Sequence, residues 1–324
     1  MAIYRGALPQ LTGDPFLADG GIETTLIYHD GLDLPEFASF HLLKTREGEE
    51  ALRQYFRTYA ALADRLGVGV ILETATWRSN PDWGAKLGYT ISELESVNAQ
   101  LVRMVEEIRS EFQGTRTPIV ISGCVGPRGD GYIPSNAMSV GEAEEYHRSQ
   151  VETFAGTGAD LVSAITMNYV EEAAGVALAA RRAGMPVVLA LTVETDGRLP
   201  TGQPLGEAIR EVDAITAGYP AYFMINCAHP SHFDTVLPGD EAWTDRIRGV
   251  RANASRMSHA ELNEATELDA GDPAELGREY AALKQHRLRQ LNVMGGCCGT
   301  DHRHVEQVAL ACLPLFRGTG SRAA

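Results

Sequence analysis

The segment Leu291-Asn292-Val293-Met294-Gly295-Gly296-Cys297-Cys298-Gly299-Thr300 runs a short apolar stretch into a glycine turn that carries two adjacent cysteines. Read as a buried strand, the stretch places both thiols at its C-terminal end. Adjacent thiols do not readily close a relaxed disulfide with each other, but on a tight turn both sulfurs can face one soft metal ion. A second apolar run, Ala221-Tyr222-Phe223-Met224-Ile225-Asn226, ends in Cys227 and supplies a third sulfur. Three thiolates leave one position of a tetrahedral zinc open, the pattern of a catalytic site rather than a structural one.

Working outward, eight short apolar runs alternate with amphipathic segments, as buried parallel strands separated by helices do. They are Pro15–Ala18, Val68–Leu72, Pro118–Ile121, Asp160–Ile165, Pro186–Leu191, Ala221–Ile225, Arg248–Ala252 and Leu291–Met294; two arginines interrupt the seventh. Helical patterns over Gly48–Leu66, Ile91–Glu111, Val140–Gly156 and Pro204–Ala217 fall between them. Gly67, Gly114, Gly158 and Gly184 act as stop signals before the next strand. Gly20-Gly21-Ile22-Glu23 does not complete a dinucleotide-binding fingerprint, which disfavours an open doubly wound sheet. The expectation is a single (β/α)8 TIM-type barrel over 1–324, with its active site at the C-terminal ends of the strands. Cys227, Cys297 and Cys298 then share one rim. Asp269–Pro273 reads as an exposed loop.

A net charge of -15 argues against nucleic acid as a partner, because phosphate binding is driven by Lys and Arg. No apolar run approaches the length of a membrane span, and the N-terminus lacks the pattern of a secretory signal. Five cysteines in 324 residues fit a reducing compartment, so the expected location is the cytoplasm. These features do not set an oligomeric state.

Asp19-Gly20-Gly21-Ile22-Glu23-Thr24, Glu73-Thr74-Ala75-Thr76-Trp77, Ser122-Gly123-Cys124-Val125-Gly126-Pro127, Asn226-Cys227 and Gly295-Gly296-Cys297-Cys298-Gly299-Thr300, in this order, resemble the motifs of the homocysteine S-methyltransferase family. The resemblance spans nearly the whole chain. It implies a zinc-bearing eight-stranded barrel whose metal ligands are Cys227, Cys297 and Cys298. It also implies a small-molecule thiol acceptor, homocysteine, converted to methionine. The methyl donor would be a sulfonium (S-methylmethionine or S-adenosylmethionine) or an ammonium compound.

The chemistry agrees with the residues. A free thiol has a pKa of about 8.5, and coordination to Zn2+ deprotonates it, giving a positioned nucleophile at neutral pH. Asp19, with amides at Gly20 and Gly21, is a candidate for the amino and carboxylate groups of a substrate, and a plain helix cap is its alternative. Glu73 and Thr74 at the second strand end, and Glu194 at the fifth, are further candidate substrate contacts, with loop capping the alternative for the first two and a solvated loop acid for the third. Asn226 is a candidate to hydrogen-bond a thiolate, with side-chain capping as its alternative, and Trp77 is either a π-face for a cation or a packing residue of the rim. Cys124 and Cys312 read as structural thiols. His302 and His304 open the last helix, in solvent-facing or capping roles.

One position departs from the resemblance. Relatives carry a glutamate at the end of strand four that resembles an amino-group anchor, and here Ile165 stands in its place. Either another acid such as Glu73 or Glu194 takes over, or the acceptor is a different thiol or a selenol. Other readings are a barrel taking methyl from a corrinoid on a separate protein, a non-catalytic zinc- or thiol-binding barrel, and a cysteine-pair redox protein.

Overall fold

A computed structural model describes residues 1–134 and 137–317. Eight parallel strands close in sequential order: β1 Phe16–Ala18, β2 Gly69–Glu73, β3 Ile119–Val125, β4 Leu161–Met167, β5 Val187–Thr192, β6 Tyr222–Asn226, β7 Ile247–Ala252 and β8 Val293–Gly296. Pairing of Phe16 with Val293 and of Leu17 with Met294 shuts the barrel.

The apolar runs are continuous because both strand faces are covered. Phe16, Ile71, Val120, Leu161, Val188, Tyr222, Met224 and Val293 fill the barrel interior. Leu17, Val70, Leu72, Ile121, Val162, Leu189, Phe223 and Val250 alternate with them and pack outward against the helices. The runs read from sequence stop at the last aliphatic residue, whereas the ladder of β2, β3 and β4 continues through Glu73, Val125 and Met167. The extra residues include polar groups that face the barrel mouth.

The helices are α1 Ile22–Tyr28, α2 Arg46–Leu66, α3 Pro81–Lys86, α4 Ile91–Glu111, α5 Val140–Ala155, α6 Val170–Arg182, α7 Leu205–Thr216, α8 Pro230–Phe233, α9 His259–Glu264, α10 Pro273–His286 and α11 His302–Arg317. Thr90 with Glu93 and Ser139 with Glu142 form reciprocal caps that start α4 and α5. Gly67 ends α2 in the left-handed region, at φ 69°. Gly158 differs from expectation: α5 stops at a Gly156 cap, and Gly158 has no room for a Cβ because the Glu106 carboxylate lies against it. Among the described residues no helix is long and apolar enough to cross a membrane.

The N-terminal segment closes the bottom of the barrel. Asp160 accepts hydrogen bonds from the Ile3 and Tyr4 amides at 2.7 Å, and Leu8 joins the interior core. The open end is therefore the one where the strands finish, which fits the usual placement of barrel active sites.

Candidate active site

β6 and β8 end on the same rim and carry the three cysteines together. One ligand atom from each of Cys227, Cys297 and Cys298 lies within 4.8 Å of the others. The Cα atoms of Cys227 and Cys297 are 5.4 Å apart, and these two are joined as a disulfide while Cys298 is a free thiol. The donor set fits zinc: three soft sulfurs, converging from two strand ends. Chelation requires the pair to be reduced, since thiolates are the ligands. Burial, reinforced by the negative charge of Glu23, raises the Cys298 thiol to about 11, so without a cation it stays protonated at neutral pH.

Cys227 is held by its neighbours in an uncommon conformation. It has φ 52°, and Thr166 at the end of β4 has φ 65°, both unusual for residues with a side chain. Asn226 explains the pairing. Its Oδ1 accepts from the Thr166 amide at 3.0 Å, and its Nδ2 donates to Thr166 Oγ1 at 2.8 Å. Thr166 Oγ1 in turn donates to Cys227 Sγ at 3.8 Å. The Cys227 carbonyl accepts from Asn253 Nδ2 at 3.0 Å and lies 2.5 Å from His259 Nε2. On the β8 side, Gly21 packs so closely on the Cys297 carbonyl that a Cβ would collide with it. Gly296 is confined in the same way by Thr300 Oγ1, which donates to the Cys297 carbonyl at 2.7 Å.

Asp19 and Glu73 meet at the mouth of the barrel on the guanidinium of Arg251. Arg251 Nη1 donates to Glu73 Oε2 at 2.5 Å, Nη2 pairs with Asp19, and Nε donates to the Gly296 carbonyl at 3.1 Å. All three side chains are buried. Burial raises the Asp19 carboxyl to about 7 against the pull of Arg251, with Glu73 adding to the rise. Burial alone lowers a guanidinium, but Asp19 and Glu73 reverse this and push Arg251 up. This trio explains the second of the two arginines in the seventh apolar run: Arg251 points inward and is neutralised there.

Several expected substrate contacts are already engaged. The Gly21 amide donates to the Thr300 carbonyl at 3.0 Å, and the Gly20 carbonyl accepts from Tyr55. Thr74 Oγ1 accepts from the Cys124 amide at 3.0 Å, tying β2 to β3. Glu194 does not line the cavity; it lies 3.0 Å from His259 Nδ1 and holds that ring. Asn226 also stays behind the wall, as the support of Cys227. Cys312 lies in the outer core, and Cys124 faces the cavity as a buried thiol that burial pushes well up. His302 is exposed, but His304 is buried, with Nε2 2.7 Å from the Ala270 carbonyl, so only the capping role holds for it.

Above the sulfurs lies a cavity of about 650 Å³, lined at its floor by Asp19, Glu73, Arg251 and Ile165 and higher up by Trp77, Arg78, Tyr132 and His259. Tyr132 stacks on His259 with centroids 3.9 Å apart, and its hydroxyl is 4.0 Å from Cys298 Sγ. Trp77 Nε1 donates to the Ile165 carbonyl at 3.1 Å. Sequence reasoning assigned no role to Arg251, Glu23, Arg78, Tyr132 or His259. The arginine inside an apolar run was the readable signal for the first. Glu23 and Arg78 stood inside or beside the quoted motifs, and the loop residues Tyr132 and His259 carried no local signal.

The family model described as homocysteine S-methyltransferase matches residues 16–312. Homocysteine S-methyltransferase 4 of Zea mays is 23% identical over 319 residues, covering 91% of this chain and 88% of that one. The homocysteine S-methyltransferase of Escherichia coli (strain K12) is 25% identical over 239 residues, covering 70% and 74%. The oxidized form of the homocysteine methyltransferase MmuM from Escherichia coli shares the fold, with a TM-score of 0.74 at 21% identity over 94% of this chain and 98% of that one. The matched region contains all eight strands and the three converging cysteines, so the chain belongs to the homocysteine S-methyltransferase family and is a methyltransferase.

Proposed function

We propose that the protein transfers a methyl group from a sulfonium donor to the thiol of homocysteine, giving methionine, with zinc held by Cys227, Cys297 and Cys298. The observation that carries the reading is the meeting of these thiols at the floor of a cavity large enough for both an acceptor and a donor. Zinc, when bound, supplies the Lewis acidity that keeps an acceptor sulfur ionised at neutral pH. The residues do the rest. Asn226 and Thr166 orient Cys227, and Tyr132 and His259 wall the reacting sulfur from water. Arg251 neutralises Asp19 and Glu73 below it. In the transfer the acceptor sulfur forms a bond to the methyl carbon as the donor S–C bond breaks, and the donor leaves as a neutral thioether. Positioning is the main contribution the cavity makes to such a displacement.

A second reading, in which the acceptor is another thiol or a selenol, is favoured by one observation: Ile165 closes the β4 side of the cavity with an apolar surface. A screen of donors and acceptors by mass spectrometry on reduced, zinc-loaded protein separates the two. Methionine formed from homocysteine and S-methylmethionine or S-adenosylmethionine supports the first. Methylation of other thiols alone supports the second, and no methylated product from any pair overturns both.

A further inference from the structure

With Ile165 in the β4 wall and Glu73 and Glu194 engaged by Arg251 and His259, the head group of an acceptor must find its charges elsewhere in the cavity. Among the cavity-lining side chains withdrawn from solvent, Arg78 and Glu23 retain free bonding capacity. Arg78, in the loop between β2 and α3, is only 8% exposed and lies between the rings of Trp77 and Trp83, 4.0 and 3.7 Å from their centroids. Its Nη1 donates to the Gly129 carbonyl at 3.1 Å, while its Nε, buried, has no partner. It forms no ion pair among the described residues. A guanidinium stacked and desolvated in this way is a preorganised fork for a carboxylate. Glu23, on the first turn of α1, is partly buried; its Oε1 accepts from Ser39 Oγ at 3.0 Å, and it makes no ion pair among the described residues.

The order of these groups matters. Thr24 Oγ1, next to Glu23, accepts from the Gly299 amide at 3.1 Å, and Ser39 Oγ reaches both Glu23 and the Ala75 carbonyl, so Glu23 lies between the Cys298 turn and the Arg78 loop and the cavity presents sulfur, carboxylate and guanidinium in turn. An α-amino acid with a thiol side chain carries the complementary sequence: sulfur, ammonium and carboxylate. Asp130 is the competing acid beside Arg78, but its Oδ1 caps the amides of Tyr132 and Ile133 at 2.8 and 3.0 Å.

The geometry points to Glu23 and Arg78 as an amino-acid clamp, Glu23 taking the ammonium and Arg78 the carboxylate, which restricts the acceptor to thiols bearing an intact zwitterionic head. The inference rests on the methyl-transfer reading for its choice of acceptor, and it assigns two residues that reading does not use.

The test compares homocysteine with 4-sulfanylbutanoate, which lacks the ammonium, and 3-sulfanylpropan-1-amine, which lacks the carboxylate. In the wild-type protein each deletion lowers kcat/KM roughly 10- to 100-fold, mainly through KM. Glu23→Gln turns over homocysteine and the butanoate equally, and Arg78→Gln does the same for homocysteine and the amine. Arg78→Lys recovers part of the carboxylate preference, which a merely structural role for the stacked arginine would not require. Zinc content stays unchanged in all three variants. Wild-type preferences retained in Glu23→Gln and Arg78→Gln overturn the clamp. Calorimetric binding of methionine to the zinc-loaded full chain reads it without turnover. Saturable binding lost in both variants, with no methyl transfer by the wild type, upholds the clamp and removes the homocysteine reading. Methyl transfer to homocysteine without any methionine binding overturns the clamp and leaves the homocysteine reading standing.

Discussion

Arg251 on β7 donates to Glu73 on β2 at 2.5 Å, an ion pair that crosses the barrel mouth between strands that are not neighbours in the sheet. With Asp19 as its second partner, Arg251 is the cation that compensates two buried carboxylates held close together. Arg251→Met therefore leaves uncompensated buried charge and is expected to cost about 3–5 kcal/mol of stability. Urea unfolding measures this. Adding Glu73→Gln to Arg251→Met should recover part of the loss, and an unchanged unfolding midpoint in the single variant would count against the network.

Alanine at Cys227, Cys297 or Cys298 is expected to reduce bound zinc from about one per chain to a small fraction and to abolish methyl transfer with it. Cys312→Ala, in the outer core, should change neither. Elemental analysis paired with an activity assay decides between them. Because Cys227 and Cys297 can pair, protein prepared without reductant should carry little zinc and regain it when reduced and reloaded.

Asn226→Ala removes both hydrogen bonds that fix Thr166 and, through it, the Cys227 sulfur. Zinc affinity, read by competition with a chromophoric chelator, should fall roughly 10- to 100-fold with the fold retained, as for other groups that orient metal ligands. Unaltered affinity would show that Cys227 needs no such support.

Asp301 starts α11, accepting from the Arg303 amide at 2.9 Å and lying 3.1 Å from His304 Nδ1. Burial pushes its carboxyl up, but the His304 and Arg303 hydrogen bonds outweigh this and hold it well below the ordinary carboxylate range. A depressed folded pKa gives stability that is present above the unfolded value near 3.8 and lost as pH falls below it. Asp301→Ala should thus cost about 1 kcal/mol at neutral pH and flatten the acid limb of the stability profile. An acid limb identical to the wild type would refute the role.

Apart from β7, with its two arginines, the strands were legible as short apolar runs covered on both faces, and Cys297 and Cys298 stood out because the turn that exposes them is written in adjacent glycines. Glu73 was read at the end of β2, but the polar continuations of β3 and β4 were not legible, since Ser122 and Thr166 look like loop residues until the barrel mouth is closed around them. From its place after a strand Glu194 was read as either a substrate contact or a solvated loop acid. Its partner His259 lies 65 residues on, so only the folded chain could show that the carboxylate is engaged.

By itself the sequence determined the barrel and the thiol trio, because periodicity, turn chemistry and strand-end position are short-range properties that each segment carries alone. Tertiary structure alone decided which charges remain free in the cavity. Arg251 finds Asp19 and Glu73 across 232 and 178 residues, respectively, while Arg78 is left with a buried donor unpaired. Pairing of buried charges depends on distance in space, and closure of the β1–β8 seam sets those distances.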